Sequence, residues 1–173
     1  MQWKDFSKED WVRGFMPWQD RVLLNQAQVA ECGVQKTKAN GVPLSWHLGI
    51  LGMPGQTAWV GLKGLGAPKV GETVFVSAAS GAVGMTVGQI AQQLSCHVVG
   101  CAGSDDKVAY VIDELGFDAA FNYKTEPDLD AAFARCCPNG IDINYENVGG
   151  DISMAAFNHL NEFGRMLICG LIS

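Results

Sequence analysis

The sequence has no long hydrophobic segment, since no apolar run approaches the roughly 18 residues that a membrane-spanning helix requires. It has no cluster of lysine or arginine either, and its net charge is −6. The negative net charge and the absence of a basic cluster argue against nucleic acid and against an anionic membrane surface as partners. The polar N-terminal segment has no signal-peptide pattern, so we expect a cytoplasmic protein.

Motifs for metal binding and for several catalytic mechanisms are also missing. The six cysteines form no C-x-x-C pair, the three histidines lie in separate segments, and no H-E-x-x-H motif occurs. We therefore expect reduced thiols and no bound metal. The chain also lacks a P-loop, a G-x-S-x-G elbow and the Tyr-x-x-x-Lys pair of short-chain dehydrogenases.

What the chain does contain, from about residue 70 onward, is a regular alternation of short apolar segments and helical patterns. The five predicted strands are Val74–Val76, His97–Cys101, Ala119–Phe121, Ile141–Glu146 and Met166–Cys169. Apolar residues at helical spacing lie between them, which predicts an α/β fold with a doubly wound parallel sheet of the Rossmann type. The order of that class is 3-2-1-4-5-6, so the sixth strand is expected to be missing.

Several element boundaries are predicted from local signals. Thr125–Asp128 has the pattern of a capping box that opens a helix, and the last helix is expected near residues 152–160. Residues 41–66 resemble a helical lead-in that is interrupted at Met53-Pro54-Gly55. Residues 1–42 do not follow the alternation, so we place a boundary there and assign residues 43–173 to a dinucleotide-binding domain.

Small residues dominate the link between the first strand and its helix. Residues 77–84 read S-A-A-S-G-A-V-G, and seven of these eight positions are Gly, Ala or Ser. The G-x-G-x-x-G fingerprint appears as Ala79–Gly84, with alanine in the first glycine place. A side chain at Gly81 would keep phosphates away, and one at Gly84 would hold the helix off the sheet. The position favours a pyrophosphate site at the helix N-terminus over an ordinary tight turn.

The end of the second predicted strand indicates which dinucleotide binds. Domains that bind NAD have an acidic residue at this position, which binds the ribose 2′-hydroxyl. The second predicted strand of this chain ends without one. Lys107 follows on the first helical turn, where a cation suits a 2′-phosphate. Asp105 and Asp106 could turn back to the ribose, but capping of the helix N-terminus is the favoured interpretation. The sequence therefore favours NADP.

Six ordered blocks, covering roughly residues 43 to 173, resemble the zinc-independent medium-chain reductases. Within that family they are most similar to the NADPH-dependent alkenal/enone double-bond reductases, the subgroup that includes prostaglandin and curcumin reductases. The blocks are Gly52–Ala58, Gly71–Gly84, Ala102–Ser104 with Lys107, Phe121–Lys124, Glu146–Gly150 and Ile168–Ser173. Members of the family are about twice as long. The resemblance therefore implies a fragment or excised module, with residues 1–42 as a remnant of a GroES-like substrate domain or an irregular lead-in.

The resemblance also implies a set of cofactor-binding residues. It assigns the pyrophosphate to the glycine loop, the 2′-phosphate to Lys107 and Tyr123, and the nicotinamide side to the segment after the fifth strand. Tyr123 could instead be a surface aromatic, Asn147 a turn former and Cys169 a buried strand residue. The full set is Met53, Thr57, Gly81, Ala82, Val83, Gly84, Gly103, Ser104, Lys107, Tyr123, Asn147, Cys169, Gly170, Leu171, Ile172 and Ser173.

The activity implied by the resemblance is reduction of the C=C bond of an α,β-unsaturated aldehyde or ketone by hydride transfer from NADPH. The small-molecule substrate is not specified by the sequence, and no catalytic residue is assigned. Two alternatives stay open: an NADP(H)-binding module without catalysis of its own, and a zinc-independent quinone reductase. We expect the isolated chain to be inactive and to self-associate through the edge of its sheet.

Overall fold

The structure, a computed structural model, describes residues 6–38 and 40–172. The chain divides into two compact units, Met1–Leu48 and Gly49–Ser173. The second unit contains all five predicted strands and every predicted site residue. Of these, Ser173 lies outside the described residues.

The first unit is small and has little regular structure. A two-stranded antiparallel sheet pairs β1 (Val12–Arg13) with β2 (Gln35–Lys36), and α1 (Gln26–Glu31) lies between them in the chain. Asn25 begins this helix with a capping box, because its side chain accepts from a backbone N–H of the first turn. The unit ends in a 3₁₀ helix, Leu44–Leu48.

The second unit is a five-stranded parallel sheet flanked by helices. The strand order is β5-β4-β3-β6-β7, and each neighbouring pair is parallel. This order confirms the predicted doubly wound fold. No helix among the described residues is long and apolar enough to cross a membrane. The elements are α2 (Met53–Trp59), a π-helix (Val60–Gly66), β3 (Thr73–Val76), α3 (Ala82–Gln93), β4 (His97–Ala102), α4 (Asp105–Asp113), β5 (Ala119–Asn122), α5 (Leu129–Cys136), β6 (Ile141–Glu146), α6 (Gly150–Asn158) and β7 (Leu160–Ile168).

Two apolar clusters cover the two faces of the sheet. On the central strand β3, Val74 and Val76 belong to one cluster, and Phe75 belongs to the other because side chains alternate along a strand. In the second cluster the ring of Phe133 packs edge-on against Phe75 and Phe121, with ring centroids 4.7 and 5.3 Å apart. Continuous apolar strands of this kind are expected where helices cover both faces of a parallel sheet.

The strand order locates the crevice. From β3 the chain winds through β4 and β5 on one side of the sheet, and then returns to place β6 and β7 on the other side. The carboxyl ends of β3 and β6 therefore flank the point at which the strand order reverses. Ligands of doubly wound folds bind at this point.

The predicted interruption at Met53-Pro54-Gly55 is wrong. Helix α2 begins at Met53, with proline in its first turn, and runs without a break into the π-helix. Proline is tolerated there because the first N–H groups of a helix have no partner within it. The π-helix ends at Gly66, and the next residue, Ala67, has a left-handed backbone with φ of 44°.

The predicted capping box at Thr125–Asp128 also needs correction. The residue that caps α5 is Asp128, whose carboxylate accepts from the backbone N–H of Ala131 at 3.1 Å. Pro127 therefore precedes the helix, and Thr125 donates its hydroxyl to Asn122 O instead.

The last helix ends earlier than expected, and the strand after it is longer. Helix α6 ends at Asn158, and β7 then runs from Leu160 to Ile168. The pairing of β6 with β7 shifts register between Ile141 and Ile143, which accommodates the additional residues of β7 as an irregularity. This stretch has no simple alternation of apolar residues, so the sequence pattern showed only its second half.

Candidate functional site

The link from β3 to α3 ends in an uncapped helix N-terminus. Gly81 is the N-cap residue of α3, with φ of −80° and ψ of 165°, and no side chain caps this end. The first hydrogen bond of the helix runs from Met85 N to Gly81 O at 2.9 Å. The preceding N–H groups, those of Ala82, Val83 and Gly84, have no partner within the helix and can bind an anion.

The glycines of this link are held close to backbone atoms. A Cβ atom added at Gly84 would lie 2.4 Å from Ala78 O and 2.9 Å from Ala79 Cα. Any side chain there would push α3 away from the turn, as the sequence predicts. At Gly81 the added atom would lie 3.2 Å from Ala78 O, which is a tight contact.

Two predicted residues, Gly103 and Tyr123, lie beside an additional lysine, Lys124, beyond β4. A Cβ atom added at Gly103 would lie 3.1 Å from the Tyr123 hydroxyl oxygen and 3.2 Å from Lys124 Cε. Lys107 lies in the first turn of α4, three residues after Ser104, and it is exposed. The lysine that the sequence analysis missed as a site residue is Lys124, although it lies inside one of the matching blocks. Lys124 is therefore a second candidate cation, beside Lys107, for the predicted 2′-phosphate site.

Asp105 and Asp106 lie in the first turn of α4, where a negative charge interacts favourably with the helix dipole. The carboxylate of Asp105 accepts a hydrogen bond from Asn122 Nδ2 at 2.7 Å. This bond joins the β4–α4 link to the end of β5. Asp105 is therefore engaged within the protein, which accords with the interpretation that favours NADP.

The end of β6 is joined to the end of β3 by a polar cluster. Asn147 donates its backbone N–H to Ser77 Oγ at 2.7 Å and its side-chain Nδ2 to Ser77 O at 2.8 Å. The hydroxyl of Ser77 in turn donates to Glu146 Oε1 at 2.6 Å. Ser77 and Glu146 were not predicted as site residues, because nothing in the local sequence pattern reveals hydrogen bonds between residues so far apart in the chain.

The predicted residues after β7 are held against the β6 loop. The backbone N–H groups of Cys169 and Gly170 both donate to Glu146 O, and that of Ile172 donates to Val148 O at 2.8 Å. Gly170 packs closely, since an added Cβ atom would lie 2.9 Å from Asn147 O. The exposed residues of this segment are Cys169, Leu171 and Ile172.

Thr57 and Cys169 meet in a small pocket of about 240 Å³, which is also lined by Tyr145 and Leu167. The hydroxyl of Tyr145 donates to Thr57 O at 2.8 Å. Burial, together with the neighbouring Cys169, raises the pKa of Tyr145 above its usual value, so its phenol stays protonated near neutral pH. Met53 is exposed and does not line this pocket.

A second pocket, of about 430 Å³, lies elsewhere on the unit. Trp59, Lys63 and Gln89 are among its lining residues, and none of the predicted site residues lines it. Of the two pockets, only the smaller one belongs to the candidate site. Residues 6–38 and 40–172 contain no group of three or more His, Cys, Asp or Glu residues that could hold a metal ion.

These observations define a Rossmann-type nucleotide-binding domain whose candidate site lies at the carboxyl ends of β3, β4, β6 and β7. The chain belongs to the family described as zinc-binding dehydrogenase, whose profile matches residues 82–173.

Known relatives identify the branch of the family more closely. The chain is 49% identical over 168 residues to a 2-alkenal reductase (NADP(+)-dependent) of Nicotiana tabacum, with coverage of 97% of this chain and 48% of the relative. It is 43% identical over 169 residues to the NADPH-dependent curcumin reductase of Escherichia coli, with coverage of 98% and 47%. The chain thus spans about half the length of the curated relatives that it matches.

A solved structure shows the same branch. The structure of CurA from Vibrio vulnificus in complex with NADPH is 43% identical, with a TM-score of 0.74, and the match covers 80% of this chain and 40% of that one. The sequence-based resemblance to alkenal and enone double-bond reductases is confirmed. The names of these relatives also agree with the choice of NADP over NAD.

Proposed function

We propose that this chain forms the cofactor-binding part of an NADPH-dependent reductase that acts on the C=C bond of α,β-unsaturated aldehydes or ketones. The observation that carries the proposal is the arrangement beyond β4, where Tyr123 and Lys124 pack against Gly103 and where Lys107 lies in the first turn of α4. Cationic and hydroxyl groups around a glycine suit a 2′-phosphate. The names of the relatives support the reaction class.

The residues at the strand ends fit such a dinucleotide. The uncapped N-terminus of α3 would hold the pyrophosphate, and Lys107, Tyr123 and Lys124 would hold the 2′-phosphate. Asn147 would contact the nicotinamide half, and the segment 169–173 would run beside it. Thr57 would approach the ring from α2, because it lines the same pocket as Cys169. Met53 remains a proposed member of this group.

The cofactor supplies the hydride, which in this reaction class goes to the β-carbon of the substrate. The residues of this chain bind and orient the cofactor from the strand ends. They offer no evident proton donor for the enolate, since the Tyr145 phenol is hydrogen-bonded to Thr57 O and its pKa is raised by burial.

A quinone reductase is the second candidate function. A mycobacterial quinone oxidoreductase structure is 27% identical, with a TM-score of 0.62, and the match covers 69% of this chain. The same cofactor site would serve both reactions. Steady-state assays of the longer protein with an enone and with a quinone would distinguish them. A module without catalysis of its own would bind NADPH and turn over neither substrate.

The replacement Lys107→Ala tests the cofactor assignment. A charge-assisted contact contributes roughly 1.5–3 kcal/mol, so the variant should bind NADPH about one to two decades more weakly. Its affinity for NADH should stay nearly unchanged. Fluorescence titration of the nicotinamide measures both affinities.

The replacement Lys63→Ala is the matched control, because Lys63 is an exposed lysine on the π-helix and lines the other pocket. It should leave both affinities unchanged. Equal affinity of the unmodified chain for NADPH and NADH would contradict the assignment of NADP.

A further inference from the structure

The hydroxyl of Ser77 joins the ends of β3 and β6, which flank the crevice, because it both donates and accepts a hydrogen bond. It donates to Glu146 Oε1 at 2.6 Å and accepts from the backbone N–H of Asn147 at 2.7 Å. Ser77 is fully buried directly after β3, so water does not compete for either bond. A buried hydroxyl with both roles satisfied has one fixed orientation.

Glu146 holds this hydroxyl with a buried carboxylate. Its Oε1 atom also accepts the backbone N–H groups of Val148 at 2.7 Å and Gly149 at 3.0 Å. Its Oε2 atom has no hydrogen-bond partner in the part of the chain that the structure describes, so one oxygen atom makes all three contacts. Charge-assisted bonds of this kind are about twice as strong as neutral ones, and they fix the loop after β6.

The cluster fixes the orientation of the Asn147 carboxamide. Its Nδ2 atom donates to Ser77 O at 2.8 Å, and that partner is a carbonyl oxygen, so the amide cannot be reversed without loss of the bond. The carboxamide oxygen is therefore the acceptor that remains for a ligand, beside the second N–H of Nδ2. An oxygen acceptor cannot bind a phosphate oxygen, whereas it can accept from a hydroxyl or an amide N–H.

The strand order indicates which part of the cofactor Asn147 meets. The predicted 2′-phosphate site lies beyond β4, and β6 lies on the other side of β3. A dinucleotide bound across the crevice therefore has its adenosine half near β4 and its nicotinamide half near β6.

We propose that Ser77 and Glu146 are positioning residues that present the carboxamide oxygen of Asn147 to a hydrogen-bond donor on the nicotinamide half of NADPH. This inference rests on the proposed function, since it concerns how the same site holds its cofactor. The donor is either the carboxamide N–H of the nicotinamide or a hydroxyl of its ribose.

The replacement Ser77→Ala tests the proposal with two ligands. NADPH carries the nicotinamide half, and adenosine 2′,5′-bisphosphate lacks it. We expect the variant to bind NADPH about tenfold more weakly and adenosine 2′,5′-bisphosphate within about twofold of the unmodified chain. The variant Asn147→Ala should show the same pattern. The double variant should lose no more than Asn147→Ala alone, because Ser77 acts through Asn147.

The control is Thr73→Val, which removes a buried hydroxyl from the opposite end of the same strand. It should leave the ratio of the two affinities unchanged. If Ser77→Ala does not fold, the variant Glu146→Gln tests the positioning role instead, since glutamine keeps the shape of the glutamate side chain and removes its charge. It should weaken NADPH by about threefold and leave the bisphosphate unchanged.

The outcomes separate the two proposals. If Ser77→Ala and Glu146→Gln weaken both ligands equally, or neither, the positioning role is overturned. If the unmodified chain binds neither ligand, the proposed function itself fails. The 3-acetylpyridine analogue of NADPH lacks the carboxamide N–H. If Ser77→Ala also binds this analogue about tenfold more weakly than the unmodified chain does, the donor is a hydroxyl of the ribose. If the two chains bind the analogue equally, the donor is the carboxamide N–H.

Discussion

At the scale of single residues, Asn144 is the side chain least suited to its surroundings. It lies in the middle of β6, is fully buried, and faces the apolar cluster that contains Phe75. Neither its Oδ1 nor its Nδ2 atom has a hydrogen-bond partner among the described residues. A buried polar group without a partner costs about 1–3 kcal/mol.

The replacement Asn144→Val should therefore raise the free energy of unfolding, by about 1–2 kcal/mol. Valine also suits a buried strand better than asparagine does. Urea denaturation at neutral pH measures the change, and the slope of the transition should stay the same. A lower free energy of unfolding in the variant would show that the amide of Asn144 makes a stabilising bond.

Tyr145 and Gly61 show how one residue makes room for another. The hydroxyl of Tyr145 reaches Thr57 O at the point where α2 changes into the π-helix. A Cβ atom at Gly61 would lie 2.4 Å from that hydroxyl oxygen, so only glycine leaves the space. A side chain that enters a helix in this way is a known cause of an irregular turn.

At the scale of elements, an ion pair joins β7 to the segment that leads into β3. Arg165 donates Nη1 to Glu72 Oε1 at 2.9 Å and Nη2 to Glu72 Oε2 at 2.6 Å. Its Nε atom also donates to Gly66 O at the end of the π-helix. The bond from Arg165 is the main reason that the pKa of Glu72 is lowered from its ordinary value of 4.5.

This pair predicts a dependence of stability on pH. Because the pKa of Glu72 is lowered in the folded state, the contribution is fully present above the ordinary value and is lost as the pH falls through the lowered value. At pH 7 the variant Glu72→Gln should have a free energy of unfolding about 1–2 kcal/mol smaller than that of the unmodified chain.

The difference between the two chains should shrink towards zero as the pH falls below the lowered pKa of Glu72, where the carboxylate is protonated in both the folded and the unfolded state. Chemical denaturation at a series of pH values measures it. A difference that stays constant as the pH is lowered from 7 to well below 4.5 would show that the charge of Glu72 contributes nothing.

At the scale of the whole molecule, β7 forms an edge of the sheet. Among the described residues no strand pairs with its outer side. Phe163 and Ile168 on this strand are 87% and 63% exposed. An exposed apolar edge is a template for pairing with another chain.

We therefore expect the chain to self-associate through β7, with slower hydrogen exchange at the amide of Ile168 as the protein concentration rises, since the next amide, that of Cys169, is already bonded to Glu146 O. Sedimentation should show a matching rise in mass. The variant Ile168→Lys should reduce the association, because a charge on an edge strand opposes pairing. Fast hydrogen exchange that does not depend on protein concentration, together with a monomeric sedimentation profile, would contradict self-association through β7.

The chain by itself should not reduce enals or enones. None of its three tyrosines is suited to protonate the enolate. Tyr110 lies on α4, Tyr123 beside Gly103, and Tyr145 is bonded to Thr57 O. NADPH oxidation with a simple enone, followed by absorbance, should not exceed the rate without protein. Steady oxidation that scales with chain concentration and survives repurification would contradict this expectation.

The sequence by itself determined the alternating fold and the position of the glycine loop. Both depend on local signals: apolar residues at the periods of strand and helix, and small residues where β3 meets α3. Strand β6 was predicted with the bounds that it has, Ile141–Glu146. The position of Lys107 in the first turn of α4 was also predicted, because the local pattern shows a helix beginning shortly after β4.

Only the tertiary structure decided the contacts between distant segments. Lys124 reaches Gly103 because β4 and β5 pair side by side. Ser77 and Glu146 are 69 residues apart in the chain, and the parallel pairing of β3 with β6 brings their side chains to 2.6 Å. The periodicity of a sequence reports which face of an element is buried. It does not report which strand end lies beside which, and at this site the strand ends carry the function.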